Sequence, residues 1–218
     1  LVGVLAFLYD KTQALDVREQ NQVLGPLREL REIDDRWDAE VLRARLERGA
    51  LDLRAADRAA AAERALQALD DAAVRTASPA LAAGLPELAR AVREKAQLVQ
   101  QFNTANTAAK NALTGTFDGA AELRAEAQGA KPLSPEFEAS IDRVEDDASQ
   151  YYRLGLEVQR KDLEGTLGRL RNLAPAAMSA TLSKGLLAGE ALLKHRLAER
   201  DAGAKLEASA AGPRLDAL

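Results

Sequence analysis

Asp34, Asp38 and Arg45 put two carboxylates and a guanidinium on the same helical stripe as Leu27 and Val41. At about 100° per residue all five fall within roughly 60° of one another, with Leu30 and Trp37 beside the arc. Soluble helical proteins turn such groups towards water, so charge on an apolar stripe has two explanations. The first is an internal ion-pair network, and the second is a polar cavity that receives a ligand.

A later stripe, Leu88, Val92, Val99, Phe102, Ala109 and Leu113, carries Lys95 and Asn106 in the same arc. Chain direction sets Arg45 near the height of Lys110, with Asn106 below it and Asp34 and Asp38 deeper, towards Lys95. A small amphoteric metabolite would find carboxylates for its amine and Arg or Lys for its carboxylate. The competing arrangement is a satisfied network of Asp34–Lys95 and Asp38–Arg45 pairs, costly to desolvate but stable once fully bonded. Trp37 reads as core rather than as a stacking platform. Tyr151-Tyr152 offers one inward ring and with it a second candidate cavity. His195 reads as a packed or solvated side chain, and Asp146-Asp147 and Glu157 read as a solvated face.

The remaining chemistry is sparse. There is no cysteine and a single histidine, which excludes thiolate catalysis, disulfides and His- or Cys-based metal sites within one chain. No Gly-rich phosphate loop or Gly-x-Ser-x-Gly turn is present, so neither a catalytic set nor a cofactor is expected. Net charge is −4 and the arginines are interspersed with acids, which argues against nucleic acid.

Hydrophobic residues make up 47% of the 218, mostly Ala and Leu, with aromatics at 4%. That mix favours helix over strand. A first helix is expected from Leu1 to about Arg48, interrupted at Gly25-Pro26 and stopped by Gly49. A second fits 53–76, and a third begins at Pro86 and ends near Leu113, where TGTFDG closes it ahead of a short helix over 120–128. Ser134-Pro135-Glu136 starts a second long helix reaching Asn172. Leu173-Ala174-Pro175 breaks it, and a further helix covers 176–200 before a final segment interrupted at Gly212-Pro213. The expected fold is all-α: two stacked antiparallel four-helix bundles sharing two long helices, one bundle about 27–150 and the other about 1–24 plus 151–218. The opening LVGVLAFLY has nine apolar residues, too few to span about 30 Å of hydrocarbon. It reads as the outer end of a transmembrane helix with Tyr9 at the interface, or else as a helix end packed into a core.

Three blocks, LYDKTQALD (8–16), LRELREIDDRWDAEVLRAR (27–45) and QLVQQFNTANTAAKNAL (97–113), resemble the double all-helical ligand-binding (DAHL) domain of bacterial sensors. In the third block Phe102, Asn106, Lys110, Asn111 and Leu113 match or nearly match the family's Phe-Lys-x-x-Asn-Ala-x-x-Arg-Asn-Ser-Leu run. Asn103 stands where Lys is usual and Ala112 where Ser is usual, so no ligand role carries over to Asn103. Residues 114–218 agree in helical pattern. The resemblance implies a periplasmic input module of a histidine kinase, diguanylate cyclase or similar receptor, anchored in the inner membrane by flanking helices. The expected site is then Asp34, Trp37, Asp38, Arg45, Lys95, Phe102, Asn106, Lys110 and Asn111. The expected partners are a small molecule of unknown identity and a second copy of the chain, with no enzyme activity in this segment. A helical scaffold that docks a protein by its surface is the alternative.

Overall fold

A computed structural model describes the backbone of residues 2–47, 55–129 and 133–217, and the side chains of 21–45, 57–128 and 133–217. Among the described residues there is no strand. The helices are α1 (Val2–Glu47), α2 (Ala55–Thr76), α3 (Pro79–Gly129), α4 (Pro135–Leu154), α5 (Glu157–Leu173), α6 (Ser179–Glu207) and α7 (Ala211–Asp216), with a 3₁₀ turn at Ala176–Met178. None of the described helices is long and apolar enough to cross a membrane. The side chains of LVGVLAFLY and the backbone at Gly49 lie outside the described residues.

The all-α expectation holds, while several helix boundaries differ from it. α1 runs through Pro26 without interruption. α3 is one 51-residue helix that starts seven residues before Pro86 and continues through TGTFDG. Ser78 starts it, its hydroxyl accepting from the Leu81 amide at 3.4 Å. Thr114 and Thr116 do not break the helix, because their hydroxyls donate back to the carbonyls of Lys110 (3.3 Å) and Ala112 (2.8 Å). Gly119 serves packing: a Cβ there would stand 2.6 Å from the Gly185 Cα of α6.

The expected helix 134–172 begins as anticipated, with the Ser134 hydroxyl accepting from the Phe137 amide at 3.2 Å. It then divides at Gly155, which takes φ 65° and donates its N–H to the Tyr151 carbonyl at 2.8 Å. That left-handed cap ends α4, and α5 begins two residues later. α6 continues through Asp201-Ala202-Gly203, and α7 contains Gly212-Pro213.

The chain forms two compact units, residues 1–100 with 205–218 and residues 101–204. The divisions fall inside α3 and α6. In the first unit Leu30, Ile33, Trp37 and Val41 of α1 are buried with Leu66 and Leu69 of α2, Leu88, Val92 and Val99 of α3, and Leu206, Ala211 and Leu215. α1 packs against α2 and α7. In the second unit Phe137, Ile141, Val144 and Tyr151 of α4 share a core with Leu163, Leu167 and Leu170 of α5 and Leu182, Leu186 and Leu192 of α6.

Candidate functional site

The first unit contains a buried charged centre. Lys95 of α3 is 3% exposed, with its Nζ 2.8 Å from Asp34 Oδ1 and 2.8 Å from Asp38 Oδ1. The i, i+4 spacing of the two aspartates on α1 presents both carboxylates to one cation. Their surroundings differ. Asp34 is buried, whereas the Asp38 side chain is 61% exposed and water solvates it. Burial holds the Asp34 carboxyl above its ordinary range even though the Lys95 ammonium pulls the other way.

Backbone closes over this centre. A Cβ at Gly212 of α7 would lie 3.3 Å from Asp34 Oδ2, so a residue without a side chain allows the approach. α7 is held by buried Ala211 and Leu215, and by exposed pairs of Asp216 with Arg31 (2.8 Å) and Arg214 with Glu87 (2.9 Å). Trp37, one turn along α1, is 1% exposed, and its indole N–H is buried without a hydrogen-bond acceptor among the described residues.

The Asp34–Lys95 pair is therefore present. Asp38 turns to Lys95, and Arg45 pairs with Glu207 near the end of α6. Asp34, Trp37, Asp38, Arg45 and Lys95 all belong to the first unit; Phe102, Asn106, Lys110 and Asn111 belong to the second. Phe102 is fully buried, Asn106 is buried, Lys110 is half-buried and Asn111 is exposed.

The chain matches the DAHL domain family profile over residues 15–218. The chain belongs to the DAHL family. DAHL domains are helical sensor modules of signalling receptors. Searches among curated proteins and among solved structures found no match.

One feature of this DAHL chain was not anticipated from its sequence. In the first unit α2 and α3, joined through Ala77 at φ 50°, enclose a surface groove of about 380 Å³. Its apolar lining includes Leu66, Ala73, Leu85 and Ala89, and its polar lining includes Glu63, Gln67, Asp70 and Arg93. Arg93 grips Glu63 with two bonds, at 2.6 and 3.0 Å, which keeps the Glu63 carboxyl below its ordinary range. Val74, also lining the groove, is 77% exposed, and that is the available sequence signal: a valine on the outer face of an otherwise Ala- and charge-rich helix.

Proposed function

We propose that this chain is the periplasmic input domain of a transmembrane receptor, such as a histidine kinase or diguanylate cyclase. It works as a homodimer that binds a small polar metabolite between helices and passes a helix shift through the membrane. The observation that carries the ligand reading is Lys95, a buried ammonium between two aspartates in an otherwise apolar core. Such a centre is expensive to desolvate, and a structural purpose is met as well by well-packed apolar residues. A guest with its own ammonium and carboxylate can exchange partners with it: the amine takes Asp34 or Asp38, and the carboxylate takes Lys95 or Arg45.

Partner exchange would move α1 and α7, because α7 rests on the Asp34 carboxylate, and apart from buried Ala211 and Leu215 its ties to α1 and α3 are exposed ion pairs of small individual strength. A ligand shifts such an equilibrium only through its differential affinity for the two arrangements. The test is a thermal-shift screen of the domain against amino acids, dicarboxylates and amines, repeated on Asp34→Ala and Arg45→Ala. A hit whose stabilisation is lost in these variants is the expected result. Undiminished stabilisation in both removes this site.

A protein-docking role has one observation in its favour: Leu154, Leu156 and Val158 are all exposed at the α4–α5 break. An unchanged screen together with capture of a partner lost on Leu156→Glu would support that reading instead.

A further inference from the structure

None of Asp34, Asp38 and Lys95 lines the α2–α3 groove, and its charges do not cancel. Two carboxylates and one guanidinium line it, and Arg93 is committed to Glu63 through both of its short contacts. Asp70 is left as the carboxylate with no ion pair among the described residues. Gln67 donates from Nε2 to Asp71 at 3.2 Å, so its carbonyl oxygen is the end that remains to accept. The other lining groups are aliphatic, and Val74 adds exposed apolar surface that a guest would cover. A volume of about 380 Å³ falls in the range of small-molecule sites. No aromatic ring is present to form a cation–π cage, which disfavours a quaternary ammonium and favours one that donates hydrogen bonds.

We infer that this groove is a second ligand site, taking a primary alkylamine whose ammonium bonds Asp70 and whose chain lies along Leu66, Ala73, Leu85 and Ala89. Charge complementarity selects the head group and the aliphatic lining selects the tail. A carboxylate of the same length would bring like charge against Asp70, and an alcohol would forgo the charge-assisted bond. The inference stands independently of the Lys95 centre.

The probe is 1-hexylamine, titrated into the intact domain at neutral pH by ligand-observed NMR and calorimetry, with hexanoate and 1-hexanol as controls. Hexylamine is expected to bind, hexanoate to give no signal, and hexanol to bind more weakly. Asp70→Asn should weaken hexylamine by about three- to tenfold, as expected for a partly screened ion pair. Ala89→Trp, which fills the groove, should abolish binding with the helical circular dichroism kept. Asp34→Ala should leave it unchanged. Equal affinity for hexylamine in Asp70→Asn, binding that survives Ala89→Trp, or binding lost in a folded Asp34→Ala protein would each overturn the inference.

Discussion

Replacing Lys95 by Met removes the cation from a site where the Asp34 side chain is only 9% exposed. Shape and volume are nearly kept, so the cost comes from the carboxylate left behind rather than from a cavity. Asp34 then either stays ionised without its partner or takes up a proton. Protonation sets the ceiling: for a carboxyl with an ordinary value of 3.8, being neutral at pH 7 costs about 4 kcal/mol. Asp34 already sits above that value in the intact chain, which brings the cost below this ceiling; breaking a buried ion pair typically costs about 3–5 kcal/mol. At pH 4.5 the same ceiling falls to about 1 kcal/mol, because the proton is then nearly free to bind. Asp38 adds little, since water solvates its carboxylate. The assay is urea unfolding followed by the emission of Trp37, the sole tryptophan, at both pH values. The double variant Asp34→Asn with Lys95→Met should recover more than half of the loss at pH 7. A loss below about 0.5 kcal/mol at pH 7, an equal loss at both pH values, or additive losses in the double variant would refute this reasoning.

The pH dependence of Asp34 itself follows from its raised carboxyl. The folded chain holds a proton there in a window above 3.8 where the unfolded chain does not. This stabilisation is complete below 3.8 and is lost as pH rises through the folded value, so the stability of the parent chain relative to Asp34→Asn should increase as pH falls from 7 towards 4; denaturation series at stepped pH would check the slope. Gly119→Ala should destabilise the second unit by about 1–2 kcal/mol, overpacking outweighing the helix-propensity gain. Gly185→Ala, whose nearest neighbour is an ordinary 3.6 Å away, should be neutral or stabilising in the same thermal melts. Ala77→Gly relieves a left-handed alanine at φ 50° and should raise stability by up to about 1 kcal/mol, less what the freer unfolded chain loses.

Helix content and the start of α4 were legible because they rest on local chemistry. Ala- and Leu-rich composition excludes sheet, and Ser134-Pro135 satisfies and prearranges a first turn. The extent of α3 was not legible. Glycine and threonine read as stop signals until the partner helix is known, and only contact with Gly185 explains why a 51-residue helix keeps Gly119. Gly155 falls inside the long helix expected from Ser134 to Asn172, whereas it takes the left-handed φ that ends α4.

At the candidate site, helical spacing put Asp34, Asp38 and Lys95 on inner faces, and the three do converge. Spacing could not choose the partner of Arg45, because Glu207 approaches from a helix more than a hundred residues downstream. Nor could it place Gly212 against Asp34, or find the groove between α2 and α3.

The most direct measurement is a crystal structure of the domain with a thermal-shift hit bound. Density for the small molecule against Asp34 and Lys95, with Lys95 Nζ no longer 2.8 Å from both aspartates, is the expected result. An amino acid or dicarboxylate bound elsewhere, with that three-residue contact unchanged, would contradict it.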